Sequence, residues 1–521
     1  MAGFAFWPLV GVLVVVYLLW RAPASSLRQV PTVRYKWYLP DFLNRILYYP
    51  KAASMISRGY HKYKDTPFRI LTGDGEVIVL PVKYQHELRH LPPSKLSSLH
   101  AQYENALGEY TNIRIDTLLP ALTVRKRLTP NLVHVIPRVI DELRVAFDTV
   151  LAGCEDDWVK INPGEMSTRL IALATSRVMA GDILRQNEEW LNIASSYAHN
   201  VGITLLLLRP VPKYLRPIVA RLLPCIRHMK EQLRFAKDLF IPLINERKQA
   251  QKADGAASSK PDDFLQWMMD LGESEGENLD PDSLAHHMLL LVTLAVTHTS
   301  TMALCHCLYD LIMKPEYIEP LREEMRRTLP DGWYKATQAS LHEQARLDSF
   351  LRESQRFGPP GELSFHRIVK EPITLSDGLT LPVETHVCFP SGPISKDDAF
   401  IPNPSVFDGF RWCQDPSDRF ALTPELNGST EKGQAEKPAS SSHFVSITPA
   451  HMHFGFGRQA CPGRFFAANT LKAILSRIIL DYEFKFVDGL EGKRPANLVV
   501  GEHILPSMSA EMLFRKRPVG L

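Results

Sequence analysis

Several common signatures are missing from this 521-residue chain. It has no GxxxxGK[ST], GxGxxG or GxSxG segment. A phosphate-cradling loop, a dinucleotide-binding turn and a nucleophile elbow are thereby excluded. No flavin or nicotinamide site is built in, so any electrons the chain uses come from a partner. There is no Cys-x-x-Cys pair, and the seven cysteines (154, 225, 305, 307, 388, 413, 461) are odd in number and irregularly spaced. That excludes a zinc ribbon, a redox dithiol and a secreted disulfide framework. Sixty Lys+Arg against 57 Asp+Glu leave a net charge of only +3, which gives no electrostatic case for nucleic acid. A mean hydropathy of -0.12 excludes a polytopic membrane protein. No internal repeat is visible. The remaining composition, 45% hydrophobic and 22% charged, is that of an ordinary folded chain.

One long apolar run is present. Phe4–Trp20 carries no charge, and Trp7, Tyr17 and Trp20 lie near its ends. Its length is at the short end of a transmembrane span, with aromatic rings where the interface favours them. No Lys or Arg precedes it, whereas Arg21, Arg28, Arg34 and Lys36 follow. The expectation is a single-pass anchor at 4–20, a proline-bearing hinge at 21–40, and a cytosolic body at 41–521. A cleaved signal peptide is the rival, because Ala22-Pro23-Ala24 resembles a cleavage site; the absent basic n-region opposes it. Asn427-Gly428-Ser429 is a glycosylation sequon, and glycan found there would overturn the cytosolic topology.

Along the body, Ile70–Val82 with Gly73 and Gly75 predicts a hairpin. Residues 130–250 are helical in pattern. Leu205–Leu223 is greasy and holds Pro210, Pro212 and Pro217; it reads either as a packed helix pair or as a membrane contact or lid. Residues 250–262 resemble a linker. Asp280-Pro281 is a cap followed by a good first helical residue. It opens a helix that ends at Lys314-Pro315 and is apolar nearly all round from Met288 to Val296, so it should run through the core. Residues 341–357 are helical, 368–390 predict a hairpin around Asp377-Gly378, and 414–448 predict a surface insertion. A last helix begins near Pro462.

The chemistry concentrates in Phe454-Gly455-Phe456-Gly457-Arg458-Gln459-Ala460-Cys461-Pro462-Gly463. Glycines 455 and 457 permit a tight turn with positive φ that aims peptide N–H groups at one sulfur. Pro462 suits a first helical position, so Cys461 faces a helix N-terminus, which lowers a thiol pKa. Such a device keeps a thiolate for a metal.

This stretch resembles the haem-binding loop of the cytochrome P-450 family, Phe-x-x-Gly-x-Arg-x-Cys-x-Gly. Phe454, Gly457, Cys461 and Gly463 stand in register, Gln459 replaces the arginine that pairs with a haem propionate, and the adjacent Arg458 is the candidate to compensate for it. The resemblance extends over nearly the whole chain in family order. Glu353-Ser354-Gln355-Arg356 matches Glu-x-x-Arg, and Arg411 in Phe407–Trp412 matches the arginine that completes that pair; the three would be structural. Ala295-Val296-Thr297-His298-Thr299-Ser300 matches the oxygen-binding segment at Thr299 and Ser300, with His298 in place of the acid. His298 is either a proton relay beside Thr299 or a buried histidine bonded to a backbone carbonyl. Arg367 and Arg125 stand where family members hold the haem propionates.

The resemblance implies a mostly α fold with a small β region and haem b, with Cys461 as axial ligand of the iron. It further implies a haem-thiolate monooxygenase fed by NADPH through a membrane-bound reductase, with the protein on the endoplasmic reticulum membrane. Arg125, Lys126, Arg127, Arg464 and Lys472 would receive the reductase. The Ala460–Asn469 run, the histidine before Thr-Ser and the polar insertion resemble fungal secondary-metabolism members. They imply a hydrophobic terpenoid substrate (a diterpene, indole diterpene or meroterpenoid), with polyketides as the alternative. Substrate contacts are expected within 99–119, 205–223, 291–300 and 361–366. A reductase-independent isomerase or dehydratase, and a membrane haem sensor, are the rival functions. The pairs His286-His287 and His451/His453 lack ligand-spaced partners for a metal.

Overall fold

The computed structural model describes residue 27 and residues 29–73, 75–114, 116–185, 187–254, 260–277, 280–413, 442–490 and 492–518. The expected anchor at 4–20, the Ala22–Ala24 site, the Asn427 sequon and most of the 414–448 insertion lie outside the described residues.

Helices dominate and share one large apolar core. Pro281–Met313 runs through it, opened as expected by Asp280, whose carboxylate accepts the Ser283 N–H at 2.8 Å. The helix is regular from Pro281 to Leu290, widens to π geometry over Leu291–His298, and is regular again from Thr299. Such a widening is rare and tends to fall at functional positions. Around it pack Leu132–Val150, Pro163–Ala180, Glu188–Leu208 and Pro224–Asp254. The last of these absorbs residues 250–254 of the expected linker into its final turn. Glu188–Leu208 and Pro281–Met313 are long and apolar enough to cross a membrane, but much of each is buried in this core. Between Leu208 and Pro224, residues Tyr214, Ile218 and Leu222 are exposed, as are Leu206 and Leu207.

The β region is small. Its main sheet has six strands in the order Thr32–Val33, Phe68–Leu71, Glu76–Val79, His386–Phe389, Ser364–Val369 and Leu96–Ser97. Thr32–Val33 falls inside the segment expected as a hinge, yet pairs in parallel with Arg69–Ile70. The hairpin expected in 70–82 is present as Phe68–Leu71 with Glu76–Val79. The 368–390 hairpin is reduced to Ile373–Thr374 with Thr380–Leu381; the longer pairing runs from His386–Phe389 back to Ser364–Val369. That pairing carries a bulge between Ser364 and Arg367, where Phe365 takes φ +57. Bulges re-aim side chains, and this one directs the His366-Arg367 pair. A two-residue hairpin joins Leu498–Val500 to His503–Leu505 through Gly501 (φ +61) and Glu502. A glycine in the first turn position suits that geometry.

Candidate active site

The loop before the last helix has the turn its glycines predict. Gly455 and Gly457 take φ +78 and +71, and the Cys461 N–H donates to the Phe454 carbonyl at 2.8 Å. A Cβ on Gly457 would overlap the Arg89 carbonyl, the same oxygen that accepts the Arg458 N–H at 3.1 Å. The helix starts at Arg464, two residues later than Pro462. The N–H groups of Gly463 and Arg464 are aimed at the Cys461 sulfur. The thiol pKa nevertheless differs from expectation in direction. Burial pushes it up, and the two peptide donors and the Arg464 charge offset only part of that. Two dipoles at a helix start are worth less than the hydration a thiolate loses to the protein packed around it. A thiolate here therefore needs a cation at the sulfur.

Gln459 does not face that sulfur's surroundings as a charge substitute. Its Oε1 accepts the Ser98 N–H and its Nε2 donates to the Leu96 carbonyl, both at 2.9 Å. It pins the cysteine loop to the edge strand of the main sheet. Arg458 is exposed. With Arg89, His90, Arg125 and Arg464 it lines a cavity of about 530 Å³ on the outer side of the loop, whose lining holds no carboxylate. Arg367 is different. It is buried, donates to the His366 carbonyl at 2.8 Å, stacks on Phe365 at 4.1 Å, and has no carboxylate partner among the described residues. Burial alone pulls its pKa down to about 9. A buried cation without an anion is costly, so the site fits a group that brings a carboxylate. With an accessible sulfur that carries two peptide donors, these residues fit a haem.

On the long helix, Thr299 is exposed and its hydroxyl donates to the Ala295 carbonyl at 2.7 Å. Ser300 is buried. His298 lies mostly enclosed, and burial, then the charge of His503, pull its pKa down, so it is a neutral imidazole near pH 7. Thr297 is fully buried, with a hydroxyl that has no partner among the described residues.

Glu353, Arg356 and Arg411 come together. The Glu353 carboxylate accepts Arg356 Nη2 at 2.6 Å and Nε at 3.0 Å. It also accepts Arg411 Nε at 3.2 Å, the Trp412 indole at 3.1 Å and the Asp408 N–H at 3.1 Å. Arg352, the residue before Glu353, holds its guanidinium over the Trp412 ring at 4.3 Å. Beside them the His451 and His453 rings meet edge to face at 4.7 Å, and their nitrogens are buried without partners among the described residues. His286 reaches the Asn112 carbonyl and His287 reaches Asp116.

One residue in the expected reductase-facing set is misplaced. Lys472 is buried and held by Asp348 at 2.6 Å and the Leu341 carbonyl at 3.1 Å. The helix turns its side chain into the core, where no partner protein can reach it. Arg125 and Arg127 are exposed, and Lys126 pairs with Glu275.

Sequence reasoning missed a buried polar group at the C-terminal hairpin. Glu502 accepts the Tyr48 hydroxyl at 2.9 Å and lies 2.9 Å from His366 Nε2. His366 Nδ1 in turn lies 3.0 Å from His386 Nε2. His503 follows Glu502 directly. No local motif marks these residues, because they come from four distant segments.

A family model described as Cytochrome P450 matches residues 171–508. The chain is 44% identical to the cytochrome P450 monooxygenase penP of Penicillium crustosum over 98% of this chain and 95% of that one. It is 43% identical to the cytochrome P450 monooxygenase janP of Penicillium janthinellum, over 99% and 96%. It is 44% identical to AtmP of Aspergillus flavus, another cytochrome P450 monooxygenase, over 98% and 94%. With the fold and the cysteine loop in place, these matches make the chain a member of the cytochrome P450 family and a monooxygenase of the kind found in fungal secondary metabolism.

Proposed function

We propose that this chain uses haem b and NADPH-derived electrons to insert one oxygen atom of O2 into a hydrophobic terpenoid, with an indole diterpene as the substrate class. The observation that carries the reading is the Cys461 sulfur, accessible within a ring of surrounding protein and with two peptide donors aimed at it. The relatives support the pathway class, since all three are fungal monooxygenases of high coverage. When bound, the haem activates dioxygen so that one atom enters the substrate and the other leaves as water, with two electrons drawn from NADPH.

The chain's own residues then have distinct tasks. Cys461 would hold the haem iron through its sulfur, positioned by Phe454, Gly457 and Gly463. Arg367 would pair with one propionate and Arg125 with the other, with Arg458 lining the same cavity as Arg125. The Thr299 hydroxyl holds a proton at Oγ1, which it donates to Ala295 at rest and turns toward the interior when a better acceptor arrives. His298, neutral, passes a proton through its ring, and Ser300 supports the same turn. Glu353, Arg356 and Arg411 hold the frame under the cysteine loop. The exposed Arg127 with Arg89 and Arg464 presents a basic surface that receives an acidic reductase face. Phe4–Trp20 anchors the protein in the endoplasmic reticulum membrane, and the exposed Leu206, Leu207, Ile218 and Leu222 add a second apolar contact.

The test has two stages. The reduced carbon-monoxide difference spectrum of the membrane fraction should show a red-shifted Soret band that Cys461→Ser abolishes. An unshifted haem would sink the thiolate assignment. Reconstitution with reductase and NADPH should then oxidise indole diterpenes in preference to plain diterpenes and polyketides; the reverse preference would replace the substrate class and leave the haem reading intact.

A further inference from the structure

Leu96–Ser97 is the last strand of the main sheet, so one of its sides has no strand neighbour. The carbonyl of one strand residue and the N–H of the residue two further on point to the same side, and an edge leaves such groups open. Here the open pair is the Leu96 carbonyl and the Ser98 N–H, and the Gln459 amide takes both at 2.9 Å. The side chain stands where the peptide group of a further strand would stand. Only one orientation of the amide serves both partners, with Nε2 on Leu96 and Oε1 on Ser98. Ser98 is buried and is the first residue of the helix Ser98–Asn105, so its N–H has no acceptor within that helix.

On its other side the same strand is paired with the one that carries Arg367. Leu96 faces Val369, and Ser97 faces Ile368, the residue after Arg367. The Lys370 N–H extends that pairing to the Lys95 carbonyl at 2.8 Å. Arg367 reaches back to the cysteine loop, where its Nη2 donates to the Phe456 carbonyl at 3.5 Å. A closed path therefore runs from the cysteine loop through Gln459 to Leu96–Ser98, across to Ile368 and Arg367, and back to Phe456. It joins the sulfur and the buried cation that fit a haem, and every member of it is protein. An arginine at 459 could not close this path. A guanidinium is all donor; it could serve the Leu96 carbonyl, but it would meet the Ser98 N–H with another N–H.

We propose that Gln459 is a positioning residue that sets Cys461 and Arg367 in register from within the protein, and that it is not itself a partner of a haem propionate. The proposal rests on the haem-monooxygenase reading and sharpens it. Gln459 is then no weakened copy of the family's arginine. Its amide is committed to the sheet edge, and the spacing between the sulfur and the buried guanidinium is fixed without help from a cofactor. The consequence has a sign. If Gln459 were a poor propionate partner, an arginine there would hold haem more tightly. If it is the tie, an arginine strands the Ser98 N–H, loosens the loop that carries Cys461, and holds haem less tightly.

The experiment uses purified holoenzyme, unaltered and as Gln459→Arg and Gln459→Met. Haem loss is timed by its transfer to an excess of apomyoglobin. Both variants should lose haem about ten-fold faster than the unaltered enzyme, the size set by one buried donor left without its acceptor. Resonance Raman spectra should show the propionate bending bands unmoved in Gln459→Met, because the amide it removes touches no propionate. A Gln459→Arg enzyme that keeps haem longer than the unaltered one would overturn the proposal. So would an unchanged rate in Gln459→Met, or a shift of its propionate bands. One measurement needs no variant and decides the matter if neither variant takes up haem. Hydrogen exchange of the unaltered holoenzyme should find the Ser98 amide as protected as the bonded amides of the helix it opens, and exchange at the rate of open chain would show that Gln459 has turned away to another partner. If the unaltered enzyme gives no red-shifted Soret band with carbon monoxide, the haem reading fails, and the proposal with it; with that band present, the wrong order of haem loss defeats the proposal alone.

Discussion

Replacing Glu353 by Gln is the sharpest test of how the frame under the cysteine loop is held. Glu353 and Arg356 are 0% and 1% exposed, so water offers neither group an alternative. The two carboxylate oxygens accept five donors, from Arg356, Arg411, Trp412 and the Asp408 backbone. Gln is nearly isosteric, but it presents an NH2 where a guanidinium donates. Arg356 keeps the Pro404 carbonyl at 2.6 Å and the Ser395 and Val406 carbonyls at 3.2 Å, and it has no anion left beside it. Breaking one partner out of a buried pair costs about 3–5 kcal/mol, against a total stability of about 5–15 kcal/mol for a domain. Removing both partners with Glu353→Met and Arg356→Leu leaves no orphan charge between them, and should cost less than the two single changes summed. Urea unfolding followed by circular dichroism gives the midpoints, and the reduced carbon-monoxide spectrum gives the fraction that still holds haem. A Glu353→Gln protein within about 1 kcal/mol of the unaltered chain would refute the reasoning, as would strict additivity in the double replacement.

Gly457→Ala should lose haem binding outright, because the new Cβ meets the Arg89 carbonyl and φ is +71; an unchanged carbon-monoxide spectrum would show that the loop yields. Acid should destabilise the protein through the paired histidines. Burial pulls His453 down to about 3 and His451 well below its ordinary value, so the unfolded chain binds protons first. Their contribution is full above about pH 6.5 and is lost as pH falls toward about 3. His453→Leu should flatten the fall between about pH 6 and 5 by up to about 1.4 kcal/mol per pH unit, read from urea midpoints. Lys472→Ala should cost about 3–5 kcal/mol, since it strands the buried Asp348, and leave the KM for reductase unchanged. Arg127→Glu, at an exposed position, should raise that KM with little loss of stability, and the opposite pattern would return Lys472 to the docking face.

Much of the site was legible because its residues lie close together in the chain. The cysteine loop needs only ten residues, and its glycines, proline and cysteine each have one geometric use. The three residues of the Glu353 cluster are less local, and Arg411 joins them only through its place in a family order. Lys472 shows the limit. A lysine on a helix reads as a surface charge, and only the packing of Arg464–Asp481 decides that it points at Asp348. Gln459 is similar: its substitution for arginine was visible, but its two bonds to Leu96 and Ser98 cross more than 360 residues of chain.

The sequence by itself determined the helical class, the long helix with its Asp280 cap, the cysteine loop and its turn, and the family. These follow from local preferences, namely helical periodicity, capping and the positive φ of two glycines, which act over a few residues. The tertiary structure decided what depends on burial and on distant partners. It set the raised thiol pKa of Cys461, the burial of Arg367 without a carboxylate partner among the described residues, and the clamping of Glu502 between Tyr48 and His366. Desolvation and pairing across hundreds of residues have no signature in a linear pattern, because they are properties of the enclosed volume and arise only when the chain closes around it.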